Sequence, residues 1–90
     1  MRAVVLGKYE RLALEFLARY GGGFTAGTIA RNSGHGQSRS QMAQFRAGTL
    51  NRLYLNELVE KIDAEKPAVY VITDLGRAAL RTVEPKSEGA

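Results

Sequence analysis

Residues 70–80 read YVITDLGRAAL, and this stretch decides the fold of the chain. Its first part is rich in β-branched and aromatic side chains, which favour a strand. Thr73 follows, and its hydroxyl can cap a helix. The remaining residues have the spacing of a short helix with one apolar face. The stretch therefore predicts a strand that leads directly into a helix.

The residues before this stretch predict the other half of a β-hairpin. Residues 58–63, LVEKID, alternate apolar and charged side chains as a half-buried strand does. Residues 63–67 form the turn, and residues 68–73 form the second strand. The last helix is expected at 74–83. Its inward side chains are expected to be Leu75, Ala79 and Leu80.

A long helix is predicted at 8–20 from apolar residues at helical spacing. These residues are Tyr9, Leu12, Ala13, Phe16, Leu17 and Tyr20. The helix either begins before Gly7 or follows a short strand at 3–6. Glycines at 21–23 end it, because glycine readily adopts the left-handed conformation of a helix end.

Two shorter segments follow before the hairpin. A second helix is predicted at 26–32, capped by Thr25, with Ile29 and Ala30 facing inward. A polar loop, SGHGQSRS, occupies 33–40.

The third helix is capped by Ser38 or Ser40 and reaches about Leu55. Its buried side chains are expected to be Met42, Phe45, Thr49, Leu50 and Leu53. At about 100° per residue the opposite face holds Ser40, Gln44, Ala47, Gly48 and Asn51.

The order helix, helix, helix, strand, turn, strand, helix indicates an α+β fold that is mostly α. It predicts a winged helix-turn-helix, with a three-helix core, a β-hairpin wing and a short C-terminal helix. The domain is expected to span 1–83. Residues 84–90 contain a proline, charges and small residues, and are expected to form a flexible tail.

Two stretches resemble the winged helix-turn-helix regulators of the MarR and PadR type. Residues 50–61, LNRLYLNELVEK, look like the end of a recognition helix and the entry into a wing. Residues 70–80 are similar to the family's wing exit, in which Tyr70 and Ile72 pack into the core and Gly76 allows close helix packing. The resemblance implies sequence-specific DNA binding, usually as a dimer.

The chain departs from the family pattern in three places. Glu57 stands where the family usually has glycine, so the left-handed turn is expected at Asn56. The loop at 33–40 is longer than the family's turn, which leaves open a shift of the reading face by one turn, onto Arg39 and Gln41. The long flanking helices by which many members dimerise are missing.

Positive charge is concentrated in the middle of the chain. The 40 residues 17–56 contain five Arg and no Asp or Glu, whereas the rest holds eight Lys or Arg against nine acids. The planar guanidinium suits phosphates and base edges, so this pattern indicates a nucleic-acid surface. A chance cluster on a solvated face is the alternative.

Residues of the third helix are the main DNA-binding candidates. Gln44 and Asn51 can each form two hydrogen bonds with adenine, and Gly48 would let the backbone approach the duplex. Arg39 suits a base or a phosphate, and Arg52 suits a phosphate. The full candidate set is Ser38, Arg39, Ser40, Gln41, Gln44, Gly48, Asn51, Arg52 and, in the wing, Lys66. An ordinary polar helix face is the alternative.

The loop at 33–40 offers backbone N–H groups that could hold a phosphate, or it is a simple connection. His35, the single histidine, is expected to be exposed there. With no Cys and one His, neither a metal centre nor an enzyme is expected, and no cofactor is implied.

The function predicted is that of a small regulator, a repressor acting by occupying its operator on double-stranded DNA. No apolar run is long enough to span a membrane, so a cytoplasmic protein of a bacterium or phage is expected. No small-molecule ligand is evident. A homodimer is predicted because Val4, Val5 and Leu6 add apolar surface beside the first helix. A winged-helix adaptor that binds protein rather than specific DNA is the alternative.

Overall fold

Four helices and three short strands follow one another in a computed structural model that describes residues 5–83. The elements are α1 Lys8–Tyr20, β1 Phe24–Thr25, α2 Ala26–Asn32, α3 in three continuous segments (Arg39–Gln44, Phe45–Leu50, Asn51–Leu55), β2 Val59–Ile62, β3 Val69–Ile72 and α4 Asp74–Val83. The α+β winged-helix architecture is confirmed. The expected tail at 84–90 and the first half of the possible strand at 3–6 lie outside the described residues.

Helix α1 has the predicted bounds, but its buried face is wider than predicted. Ala13 and Leu17 are fully buried as expected, and so is Leu14, whereas Tyr20 is exposed. The reason is that α2, β3 and α4 all pack on this helix. A helix enclosed from several sides buries more than one stripe, and its last turn extends beyond the core.

Helix α2 is held by caps at both ends. The Thr25 hydroxyl accepts a hydrogen bond from the Thr28 N–H at 3.3 Å, as predicted. At the other end Gly34 has φ +73°, and the His35 N–H donates to the Ala30 carbonyl at 3.0 Å. This pattern is a Schellman motif, which needs a left-handed residue after the cap. It turns the chain towards α3.

Helix α3 begins at the capping box of Ser38 and is π-helical in its middle segment, Phe45–Leu50. Phe45 and Leu50 are five residues apart and both are fully buried, whereas Thr49 is half-buried. In a π-helix, the i→i+5 hydrogen bonds place residues that are five apart on the same face. Regular helical periodicity did not predict this segment.

The turn from α3 into the wing is made by Glu57, not by Asn56 as expected. Glu57 has φ +64°, whereas Asn56 caps the helix with φ −89°. The Glu57 N–H donates to the Tyr54 carbonyl at 3.0 Å, and the Leu58 N–H donates to the Leu53 carbonyl at 2.9 Å. In this second Schellman motif the left-handed residue follows the cap. Because Asn56 is the cap, that residue is Glu57.

The strands form an antiparallel sheet in the order β1-β3-β2. The sequence predicted β2 and β3 but not β1, which is too short for a periodic pattern. Tyr70 and Ile72 of β3 are both buried, as expected.

Helix α4 starts where the sequence predicted and packs closely on the turn after α3. The Thr73 hydroxyl accepts from the Gly76 N–H at 3.0 Å and donates to the Glu57 carbonyl at 2.7 Å. A Cβ at Gly76 would overlap the Leu58 carbonyl oxygen, which confirms the predicted close approach. Leu75 is exposed, contrary to expectation, because the first turn of α4 lies beside β2 rather than over the core.

Candidate nucleic-acid interface

The outward face of α3 is fully open to solvent. Its five members are all exposed: Ser40, Gln44, Ala47, Gly48 and Asn51. Their outward direction is confirmed, and their contact with DNA stays a prediction.

Gly48 stands in open space within the described structure. No heavy atom outside its own helix backbone and chain neighbours lies within 4 Å of the position that a Cβ would occupy. Close packing of α2 on this residue is therefore not the reason for the glycine. What remains is a surface where a ligand could approach the helix backbone.

An open cleft of about 570 Å³ separates α3 from the wing. Its lining residues are Ala43, Arg46, Ala47, Asn51, Tyr54, Lys61, Asp63 and Tyr70. Asn51 thus faces the wing together with Arg46. Gln44 and Gly48 do not line this cleft.

Two candidates at the start of α3 hold the helix end. The Gln41 N–H donates to the Ser38 hydroxyl at 3.2 Å, and the Ser38 N–H donates to Gln41 Oε1 at 3.1 Å. The Gln41 side chain also packs on Gly36. A two-bond contact between Gln41 and adenine would require this capping box to open. Arg39 and Ser40 are exposed beside it.

Arg52 is attached to the start of α1. Its Nε lies 3.2 Å from Glu10 Oε2, and the Glu10 side chain is only 9% exposed. Glu10 Oε1 also accepts the Gly7 N–H at 2.8 Å. The sequence offered no local signal for this pair, because the partners lie far apart in the chain. Arg52 keeps an exposed side chain (65%) and joins α3 to α1.

The first three N–H groups of the loop before α3 are already hydrogen-bonded within the chain. The N–H groups of Ser33, Gly34 and His35 all donate to carbonyls of α2, at 3.1, 3.4 and 3.0 Å. These three groups therefore cap α2 and are not free to hold a phosphate.

His35 is half-buried rather than exposed. Its ring meets Tyr9 edge-on at 4.7 Å and Phe45 at 4.8 Å between centroids. Nδ1 lies 2.8 Å from the Gly36 carbonyl oxygen. The prediction failed because the two aromatic partners come from α1 and α3, which no local pattern brings together. His35 fixes the turn between the two helices of the helix-turn-helix.

The wing tip carries charges of both signs. Lys66 is exposed in the turn between β2 and β3, and Lys61 Nζ lies 3.9 Å from Asp63 Oδ1. The acid beside Lys61 weakens the attraction of this part of the wing for phosphate.

Neither a metal site nor a membrane span is found between residues 5 and 83. In that range no three His, Asp or Glu side chains are grouped so that they could bind a metal ion. No helix there is long and apolar enough to cross a membrane.

A three-helix core, with α2 and α3 as the helix-turn-helix and the hairpin as the wing, defines the winged helix-turn-helix class. The chain is similar to the crystal structure of a MarR-family transcriptional regulator from Silicibacter pomeroyi, with a TM-score of 0.66 and 22% identity. The match covers 86% of this chain and 49% of that one, so this chain spans about half of that protein. The shared fold is the one that the resemblance implied.

No family model matches the chain, and no curated protein matches it.

Proposed function

We propose that this chain is a small transcriptional regulator, which recognises a specific double-stranded DNA sequence and acts by occupying its operator. In this proposal α3 enters the major groove and the wing lies beside it, as in other proteins of this class. The simplest role for such a domain is that of a repressor, encoded by a bacterium or a phage, that acts in the cytoplasm.

The observation that supports this proposal most directly is the charge of α3. Between residues 39 and 55 the helix carries Arg39, Arg46 and Arg52 and no acid, and all three arginines are exposed. Phosphate contacts supply most of the affinity of DNA-binding proteins. A surface of this kind on the element that reads DNA in this fold favours DNA over an uncharged partner.

The candidate residues divide into four roles. Asn51 and Gln44 are proposed to read base edges, and Gly48 allows the helix backbone to approach the duplex. Arg39 and Ser40, at the start of α3, contact a base or a phosphate. Cations beside the reading face bind phosphates; they are Arg46, Arg52 and, in the wing, Lys66. Ser38 and Gln41 act indirectly, by holding the start of α3.

Gel-shift titrations on the DNA upstream of the coding region and on random DNA test the proposal. Asn51→Ala should cost roughly 1–3 kcal/mol on the preferred site and little on random DNA, since a base contact exists only at the right pair. Arg39→Ala, if Arg39 contacts a phosphate, should weaken binding about equally on both and lower the salt slope by roughly one.

Arg81→Ala is the matched control, because it removes the same charge from an exposed position on α4. It should change affinity much less than Arg39→Ala. If substitutions of Arg39, Gln41, Gln44, Asn51 and Arg52 all leave DNA affinity unchanged at moderate salt, α3 is not the reading element. The adaptor function would then replace this proposal.

One observation favours the adaptor as the second candidate. Four large apolar side chains stay exposed beside the wing: Tyr54, Leu55, Ile62 and Leu75. An apolar patch of this kind usually binds protein. The protein contact that we propose is a homodimer, because the exposed apolar side chains include Val5, which is 83% exposed.

A further inference from the structure

A groove of about 740 Å³ runs between the end of α3, strand β2 and the first turn of α4. We call it the wing groove. It is lined by Tyr54, Leu55, Glu57, Val59, Glu60, Lys61, Ile62, Thr73, Asp74 and Leu75. Its volume is in the range of pockets that hold a small ligand or a short segment.

Most of the exposed large apolar side chains of the described residues line the wing groove. In the described part of the chain six large apolar side chains are exposed, and four of them line this groove. Tyr54 is 46% exposed, Leu55 68% and Leu75 55%. Covering these side chains would remove apolar surface from water, which is the main driving force of association.

The rim of the wing groove carries more acids than cations. Glu57, Glu60 and Asp74 line it together with one cation, Lys61. Lys61 pairs with Asp63, and no Lys or Arg among residues 5–83 forms an ion pair with any of the three acids. Three carboxylates repel phosphate, so this side of the molecule does not suit DNA. They favour an occupant that combines apolar side chains with positive charge.

Strand β2 offers its backbone to the same groove. In the sheet order β1-β3-β2 it is an edge strand, paired on one side only, and all four of its residues line the groove. A sheet edge has unpaired N–H and C=O groups, to which an extended segment can add as a further strand.

The chain itself contains a segment of the required chemistry. Residues 2–5 read RAVV, one cation followed by apolar residues, and valine favours strands. Val5 is 83% exposed, so it does not pack on its own core, whereas Leu6 does. The other flank, residues 84–90, reads EPKSEGA and has two acids, one Lys and no large apolar side chain. Charge and hydrophobicity thus both select the segment at 2–5.

We propose that residues 2–5 of one copy add as a strand to the free edge of β2 in a second copy, in a reciprocal exchange. Arg2 lies among the rim carboxylates, and the apolar residues that follow cover Tyr54, Leu55 and Leu75. This inference rests on the homodimer of the proposed function and names its contact surface. A two-fold exchange closes on itself and buries both grooves.

Molar mass measured by light scattering over a concentration series is the first test. The unmodified chain should reach the mass of a dimer at micromolar concentration. Leu75→Asp, inside the groove, should return it to a monomer. Tyr20→Asp is the matched control, since Tyr20 is similarly exposed (62%) but lies outside the groove. It should leave the mass unchanged.

A charge exchange makes the second test specific. Arg2→Glu and Glu60→Lys should each raise the dissociation constant of the dimer about tenfold, since each change affects two symmetric ion pairs. The chain with both changes should recover most of the affinity of the unmodified chain. Circular dichroism of every variant checks that the helices are intact.

A monomeric unmodified chain would overturn the exchange, and the groove would then serve a different protein or none. A dimer that Leu75→Asp leaves intact would overturn it too, as would folded charge variants without recovery in the double exchange. Gel shifts of the Leu75→Asp monomer on DNA keep the two proposals separate. If the chain does not dimerise, its binding to a DNA half-site can still be measured. If the chain does not bind DNA, its molar mass is unaffected.

Discussion

Glu57 occupies a backbone conformation that side chains disfavour. Its φ of +64° places it in the left-handed region, where the Cβ of an L-residue comes too close to the following carbonyl oxygen. The two hydrogen bonds of the Schellman motif and the bond from Thr73 to its carbonyl hold it there.

Glu57→Gly should therefore stabilise the chain. Glycine removes the strain of about 1–2 kcal/mol, and its greater freedom in the unfolded state offsets part of that gain. We expect a net rise of about 0.5–1 kcal/mol in the free energy of unfolding by urea titration. Asn56→Gly, where φ is −89°, should give no rise. Equal effects at both positions would contradict the argument.

Gly48 provides the opposite case, a glycine that the fold does not require. Gly48→Ala meets no neighbour, so helix propensity should raise the free energy of unfolding by roughly 1 kcal/mol. If the backbone of α3 approaches DNA at this point, the same methyl group should weaken specific binding. Thermal unfolding and gel shifts on one sample measure both effects. Higher stability with unchanged DNA affinity would place Gly48 outside the interface.

At the scale of elements, the sequence predicted what local chemistry determines. The bounds of α1, α2 and α4 were predicted correctly, because glycines end α1 and the hydroxyls of Thr25 and Thr73 cap the other two. Strand β1 was missed because its pairing with β3 is a tertiary event.

The candidate site shows the same division between local and distant effects. The exposed face of α3 follows from helical spacing, and it was predicted correctly. The contact of Arg52 with Glu10 and the burial of His35 between Tyr9 and Phe45 join residues that are distant in the chain. Composition and periodicity contain no information about such contacts.

Thr73 connects the wing with α4 through one hydroxyl. Thr73→Ala removes the cap from the Gly76 N–H and the hydrogen bond to the Glu57 carbonyl. Loss of a cap and one further hydrogen bond should lower the free energy of unfolding by about 2 kcal/mol. Thr73→Ser keeps the hydroxyl and should lose less than half as much in the same urea titration. Equal losses would show that the Thr73 methyl group, not its hydroxyl, stabilises the turn.

At the scale of the whole molecule, positive and negative charge occupy different surfaces. Arginines are spread along α3, whereas three carboxylates collect at the wing groove. Among residues 5–83, Glu10 is the acid that forms an ion pair with the arginine-bearing helix. Glu10 lowers the positive charge of the surface that is proposed to bind DNA, and its ion pair with Arg52 links α3 to the start of α1.

Glu10→Gln should separate these two effects. This change releases Arg52 and removes one negative charge, which should raise affinity for random DNA a few-fold at low salt. Loss of the ion pair should lower the free energy of unfolding by about 1 kcal/mol. Glu15→Gln is the matched control, because Glu15 pairs with Arg11 on the surface of α1. Fluorescence anisotropy on random DNA measures the difference. An equal gain from both variants would mean that net charge alone is responsible.

The π-helical segment gives α3 one residue more than its core contacts need. Phe45 and Leu50 would still share a face if four positions separated them instead of five, so the chain can lose Ala47 and close the segment as a regular α-helix. Both flanks would keep their inward side chains, while the solvent side would shorten by one residue. Insertions and deletions at this point would thus change the spacing of the exposed face without touching the core. Ala47 is consequently a position where a change in chain length, rather than a substitution, would alter the exposed face of α3.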